Sequence, residues 1–292
     1  MDCKANNKTD INDALVEGFL DFKINECLPK FREEHKEEYK VVINLIQLFN
    51  SLKDKFVGKN ASEQDIFLLS SIIELNKLFQ SAVLLFERGI PSSANIIIRT
   101  ILELSLNIVE TVKNKEHIQE IMLNEIKETR STVNIAKEFK RLDLIPAEKI
   151  QEIQEAYDWL LDNKPAKKTS MKDLAQKNGF EVEYLLYRTY CGNTHMSASA
   201  LAKNFSASSS GITFDAGIQL GDFKYDLRRL ISIAIIPVPS LITDYFNDDN
   251  LIKKYDLICD NFQKVFDNFP TLLTATQAAI TEMKKLVSNY SE

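Results

Sequence analysis

Apolar residues recur along most of this chain at the three-to-four-residue spacing that gives an α-helix one buried face. The stretches with this spacing are long, and the polar interruptions between them are short. The pattern therefore predicts an all-α protein, a bundle-like domain of about nine or ten helices. The segments that show it are 11–29, 33–57, 62–88, 93–112, 116–141, 146–161, 181–191, 224–247, 250–268 and 274–290.

Proline, serine and glycine mark several of the helix ends. Pro29 is expected to end the first helix, because proline lacks the N–H that a helix interior requires. Ser62 is expected to begin the segment 62–88, and Gly89 to follow its last turn as a left-handed residue. Pro91, followed by two serines, is typical of the first turn of the next helix.

The region 199–222 interrupts the helical pattern, since it is rich in serine and glycine. Its short apolar stretches ITF and IQL flank Asp215-Ala216-Gly217, which could form a turn. We expect a Ser/Gly-rich loop or a small hairpin here. The polar connector NKPAKKTS at 163–170 is short, so one continuous unit is expected, with N-terminal helices in 1–60 and a main helical domain in 61–292.

Composition narrows the class of protein further. The net charge of −6 argues against bulk electrostatic binding to nucleic acid or to an anionic membrane, although it leaves room for a local basic pocket. The longest apolar run, at 230–242, spans 13 residues and contains two prolines, which is too short to cross a bilayer. With no signal peptide visible and four scattered cysteines, we expect a cytoplasmic protein without membrane contact.

Several chemistries have no motif in the sequence. Phosphate loops, dinucleotide-binding glycine motifs, nucleophile elbows and zinc-protease motifs are all missing. His35 with Glu38, and His117 with Glu120, have a spacing of three, but each is a lone pair in a strongly charged stretch. We expect both histidines on solvent-exposed helix surfaces, and we predict neither a metal site nor a cofactor.

Arg99 and Glu103 lie four residues apart in a segment that is otherwise nearly all apolar. At this spacing they can pair on one helix face, where burial would make the loss of either partner costly. The pair is interpreted as a structural ion pair between helices. The alternative is that Arg99 belongs to an anion-binding pocket.

A second polar group lies in YRTYCGNTHMS, residues 187–197, where Arg188 precedes His195 by seven residues. Seven residues turn a helix through about 700°, so the two side chains share one face. Helical side chains lean toward the N-terminus, which keeps the two apart within one chain. Two copies packed antiparallel would bring Arg188 of one toward His195 of the other, and this predicts a composite site in a homodimer. Alternatively, Gly192-Asn193 ends the helix and His195 returns on a turn.

These residues carry a resemblance. The spacing Arg188-x6-His195 on a late helix resembles the R-x(4–6)-H signature of the HEPN superfamily, the higher eukaryote and prokaryote nucleotide-binding domains. More broadly, LFERGIPSSANIIIRTILE followed by LLYRTYCGNTHMSASAL resembles a family of uncharacterised bacterial helical proteins, over a HEPN-like core of about 65–245. The HEPN resemblance implies a metal-independent endoribonuclease of phage-defence or toxin–antitoxin systems, with Arg188 and His195 as its catalytic residues.

The implied chemistry assigns each group a role. His195 acts as general base on an RNA 2′-hydroxyl, and Arg188 holds the phosphate that the hydroxyl attacks. Tyr187, Asn193 and Thr194 could orient the phosphate or the imidazole. The products would be a 2′,3′-cyclic phosphate and a 5′-hydroxyl, with an antitoxin or defence component as a possible protein partner. The alternative is a non-catalytic helical module that binds a nucleotide, RNA or another protein.

Overall fold

The computed structural model describes residues 22–58, 61–163, 169–194, 205–208, 211–214 and 223–266. Within them the chain is all-α apart from one short hairpin, as the sequence predicts. The ten described α-helices are α1 (Phe22–Glu34), α2 (Lys36–Asp54), α3 (Glu63–Glu87), α4 (Pro91–Lys113), α5 (His117–Glu138), α6 (Ala147–Asn163), α7 (Met171–Asn178), α8 (Glu181–Thr194), α9 (Phe223–Ala234) and α10 (Asp249–Phe266). Shorter turns of 3₁₀ and π helix cover Leu142–Leu144 and Ser240–Tyr245.

The long helices α3 and α4 form the centre of the molecule and pack on each other more extensively than any other described pair. Helix α2 covers one side of α3, with α10 packed on α2, while α7 and α8 cover α4. Helix α9 contacts both central helices. The shared core is aliphatic and aromatic, and its fully buried members include Leu68, Leu75, Phe79, Ile98 and Leu102.

The ends of the central helices confirm the boundary signals in the sequence. Ser62 caps α3 by accepting a hydrogen bond from the backbone N–H of Asp65, and the Asp65 carboxylate accepts one from the N–H of Ser62. Gly89 follows α3 with a φ of 68°, in the left-handed region. Pro91 then occupies the first turn of α4. Gly89 and Pro91 together make the tight reversal that packs α4 back against α3.

Helix α1 does not end at Pro29, so this expectation from the sequence is wrong. The helix continues through Pro29 to Glu34. Its last turn is held by tertiary contacts: the Phe31 ring packs edge-on against Phe223 at 4.7 Å, and Arg32 pairs with Glu87 on α3. Such contacts offset the backbone hydrogen bond that a proline inside a helix removes, a loss of about 3 kcal/mol.

Two further elements differ from the sequence-based prediction. The eight-residue helix α7 was not foreseen, although Ser170 and Asp173 form a capping box at its start. The hairpin expected in 199–222 is present in the described residues, where Gly211–Phe214 pairs with the upstream strand Phe205–Ser208. The region 215–222 and the predicted helix at 274–290 lie outside the described residues.

Among the described residues, α3 and α4 are each long and apolar enough to cross a membrane. Length and composition alone are weak evidence, because the core helices of a soluble protein meet the same criteria. Here the two helices form the centre of the packed core. The cytoplasmic location stays a prediction.

Candidate functional site

Helix α8 carries Arg188, and its position is set by the short turn that precedes it. Gly179 ends α7 with a φ of 78°, a backbone conformation that residues other than glycine rarely adopt. The N–H of Phe180 then donates to the carbonyl of Ala175 at 2.8 Å, and α8 begins at the next residue. The sharp reversal lays α8 along α4.

Arg188 lies on the side of α8 that faces away from the core. It is exposed, and no hydrogen bond or ion pair joins its guanidinium to another described residue. Val182 and Leu185 are also exposed on this side of the helix. We call Val182, Leu185 and Arg188 the outer face of α8. This surface combines the guanidinium of Arg188, which is unpaired among the described residues, with two large apolar side chains.

The other predicted site residues are Asn193 and Thr194, which are the last two described residues of α8, and His195, which follows them in the sequence. The described part of α8 passes Gly192 and ends at Thr194, one residue before His195, so both alternatives for His195 stay predictions. The side chains of Asn193 and Thr194 lie outside the described part of the chain, as does all of His195. Their roles stay predictions.

Tyr187, the neighbour of Arg188, points inward to α4 and joins Arg99 and Glu103. Its hydroxyl donates to Glu103 Oε1 at 2.7 Å and accepts from Arg99 Nη2 at 3.4 Å. Arg99 Nη2 also lies 3.0 Å from Glu103 Oε1, and the guanidinium carbon lies 5.3 Å from the centre of the Tyr187 ring. The ion pair expected from the sequence is thus present, and Tyr187 from a second helix hydrogen-bonds to both of its members. This geometry favours a structural role for the pair.

Burial raises the pKa of Tyr187 to about 12, and its hydrogen bond to Glu103 raises it in the same direction. The phenol therefore stays protonated at neutral pH and keeps donating to the carboxylate. Because the hydroxyl is engaged on the inner side of α8, Tyr187 is placed to fix the rotation of the helix. The role of Tyr187 in orienting the phosphate or the imidazole stays a prediction.

A double-mutant cycle tests this network. Tyr187→Phe and Glu103→Gln are expected to show a coupling free energy of about 1 kcal/mol in urea unfolding, since the first removes the hydrogen bond and the second removes the charge that strengthens it. The control pair is Tyr184→Phe with Glu103→Gln, because the Tyr184 ring stacks on Tyr187 at 5.8 Å without sharing that bond. A control coupling as large as that of the first pair would contradict the assignment.

A second tyrosine on the inner side of α8 contacts a different helix. Tyr190 is 1% exposed, and its hydroxyl accepts a hydrogen bond from Arg229 on α9. Arg229 Nη1 lies 3.3 Å from Asp226 Oδ1, and the guanidinium also lies over the Tyr225 ring at 5.4 Å. The Arg229–Asp226 pair is mostly buried and lies within α9, where it orients the guanidinium, and the hydrogen bond from Arg229 to Tyr190 links α9 to α8. No local pattern in the sequence predicts this cluster, because Tyr190 and Arg229 are 39 positions apart.

His117 is buried, so the expectation that it lies on an exposed surface is wrong. Only 4% of it is accessible; its Nε2 lies 2.9 Å from Asn107 Oδ1, and its Nδ1 lies 3.4 Å from Glu120 Oε2. Thr169 donates to the same Glu120 carboxylate at 2.6 Å. These bonds join α4, α5 and Thr169, which lies two residues before α7. In the described residues no three His, Cys, Asp or Glu side chains cluster in a way that could hold a metal ion.

Burial lowers the pKa of His117 below its usual value of 6.5, and this predicts a pH dependence of stability. The unfolded chain then binds more protons at this residue than the folded chain does, so stability falls as the pH drops through about 6.5 toward the lower folded pKa. We expect the free energy of unfolding of the wild type to fall more than that of His117→Gln between about pH 8 and pH 5. Parallel curves for the two proteins would contradict this.

The comparisons with known proteins give one match. A family of unknown function, DUF5677, matches residues 65–212, a range that includes α4, α8, Arg188 and His195. No curated protein and no solved structure shows significant similarity to the chain. The match spans half of the sequence and agrees with the resemblance to an uncharacterised helical family. The chain belongs to the DUF5677 family, whose function is unknown.

Proposed function

We propose that this protein is a metal-independent endoribonuclease of HEPN-like type. The observation that carries the proposal is the exposure of Arg188 on the outer face of α8, seven residues before His195. An arginine held in the core by a carboxylate would serve packing. Arg188 lies at the surface without an ion-pair partner among the described residues, so its guanidinium can bind a phosphate from solution.

The support for a defined geometry comes from the two tyrosines of α8. Tyr187 bonds to α4 and Tyr190 bonds to α9, so two hydrogen bonds on the inner side of α8 oppose rotation of the helix. Arg188 lies between them in sequence and points away from both. A phosphate-binding side chain on a rigid helix is held in place, so it can stabilise the transition state more than the ground state.

A composite site in a homodimer follows from the direction of helical side chains. Arg188 leans toward the start of α8, away from the residue seven positions later in its own chain. Two copies of α8 packed antiparallel across a twofold axis would bring Arg188 of one copy near His195 of the other. The exposed side chains of Val182 and Leu185 supply apolar area for such a contact.

The proposed reaction is an internal transfer within RNA. The imidazole of His195 takes the proton of a 2′-hydroxyl, and the resulting oxygen attacks the adjacent phosphorus. The bond from phosphorus to the 5′-oxygen breaks, and that oxygen takes up a proton as it leaves. Arg188 stabilises the negative charge that builds on the phosphate, while Asn193 and Thr194 orient the reacting groups. A 2′,3′-cyclic phosphate and a 5′-hydroxyl result.

We place this activity in the cytoplasm, in phage defence or a toxin–antitoxin pair, with an antitoxin or defence component as partner. The test is incubation of the purified protein with structured RNA in excess EDTA, followed by analysis of the new ends. Cleavage to 2′,3′-cyclic phosphates in EDTA supports the proposal, whereas intact RNA under all conditions contradicts it. RNA that is bound but never cut would instead support the non-catalytic binding module.

A further inference from the structure

A groove of about 380 Å³ runs between α2 and α3, remote in sequence from Arg188. Its walls and floor are mostly aliphatic. Val42 and Val83 are nearly buried and form the floor, while Ile43 and Leu84 on the two walls are each 51% exposed. The lining consists of Arg32, Tyr39, Val42, Ile43, Ile46, Gln80, Val83, Leu84 and Glu87.

Three polar residues form one end of this groove. The Glu87 side chain is only 2% exposed, and both of its oxygens accept from Arg32, at 2.9 Å from Nε and 2.8 Å from Nη2. The Tyr39 hydroxyl donates to the same carboxylate, and burial together with this bond raises the pKa of Tyr39. The end of the groove is therefore preformed, with its carboxylate fully engaged.

Arg32 differs from Glu87 because its side chain is 49% exposed. A guanidinium presents five N–H groups, and the bidentate pair with Glu87 uses two of them. Its Nη1 hydrogens and the second hydrogen on Nη2 remain for another acceptor. An anionic group at the mouth of the groove would thus meet a cation whose orientation is already fixed.

We propose that this groove binds an aliphatic carboxylate of medium chain length. The carboxylate accepts hydrogen bonds from the outer edge of Arg32, and the hydrocarbon chain covers Ile43 and Leu84 above the valine floor. The volume lies at the lower end of the range of small-molecule sites, which suits a chain of about eight to ten carbons rather than a long acyl chain. The proposal does not depend on the ribonuclease activity.

The test is a calorimetric titration of the full-length protein with decanoate, at concentrations where decanoate is monomeric. We expect a single site with a dissociation constant on the order of 10–100 µM, because the open groove covers only part of the chain. Decyltrimethylammonium, which has the same chain with a cationic head, is expected to bind at least tenfold more weakly, since Arg32 repels it.

Variants at exposed positions locate the site without disturbing the core. Leu84→Glu and Ile43→Glu should each weaken decanoate binding at least tenfold, because a carboxylate then lies in the path of the hydrocarbon chain. Leu257→Glu is the matched control, since Leu257 is 58% exposed on α10 and is not part of the groove. The proposal is overturned by no binding up to about 1 mM, by equal affinity for the cationic amphiphile, or by an equal loss in Leu257→Glu.

Discussion

Replacement of Arg188 by alanine, or of His195 by alanine, is expected to lower the rate of RNA cleavage by about 10²–10⁴-fold. In the proposed mechanism the His195 imidazole is the general base, and the Arg188 guanidinium supplies most of the charge that stabilises the transition state. Cleavage is measured under single-turnover conditions in EDTA. Because both groups act on one phosphate, the double variant is expected to be little slower than either single variant.

The matched control for Arg188→Ala is Arg141→Ala. Arg141 is an exposed arginine between α5 and α6, and it is not part of α8. Both substitutions should leave the unfolding free energy within about 0.5 kcal/mol of wild type, since both side chains lie at the surface. Wild-type cleavage by either Arg188→Ala or His195→Ala would contradict the assignment, as would equal losses in Arg188→Ala and Arg141→Ala.

Arg229→Ala is expected to destabilise the protein by about 3 kcal/mol or more. The substitution removes the ion pair that Arg229 makes with the mostly buried Asp226 carboxylate and the hydrogen bond that it donates to the buried Tyr190 hydroxyl. The measurement is equilibrium urea unfolding followed by far-ultraviolet circular dichroism. Arg188→Ala is the control, because it deletes the same side chain from the exposed side of the neighbouring helix.

The outcome of that comparison bears on how α8 is held. A loss below about 1 kcal/mol in Arg229→Ala would mean that the link from α9 to Tyr190 contributes little. A large loss in Arg188→Ala would mean that Arg188 is engaged in the folded protein and is not available to a phosphate. The account requires the two arginines to differ in this way.

Much of the fold could be predicted because the signals for it are local. Helical periodicity located the long helices, and Ser62, Gly89 and Pro91 gave the reversal between α3 and α4. The end of α1 was predicted wrongly, because contacts of Phe31 and Arg32 with distant residues override the tendency of Pro29 to end a helix. Helix α7 was missed because its eight residues are too few for periodicity to show.

In the candidate site, too, contacts between residues close in sequence could be predicted, and contacts between distant residues could not. The pair of Arg99 with Glu103 could be predicted, since four residues on one helix bring them together. Its third member, Tyr187, lies 88 positions from Arg99, and no local pattern joins them. The burial of His117 was also not predictable, because the sequence around it is charged while Asn107, which contacts its Nε2, comes from the preceding helix α4.

The most direct test of the composite site is complementation between two inactive copies. Arg188→Ala protein and His195→Ala protein are mixed, dissociated and reassociated, and cleavage of structured RNA in EDTA is then measured. Random pairing makes half of the dimers mixed, and each mixed dimer has one site with an intact Arg188 from one copy and an intact His195 from the other. The account predicts that the mixture regains about one quarter of the wild-type rate, while each variant alone stays inactive. An active wild type whose two variants show no recovery on mixing would contradict it.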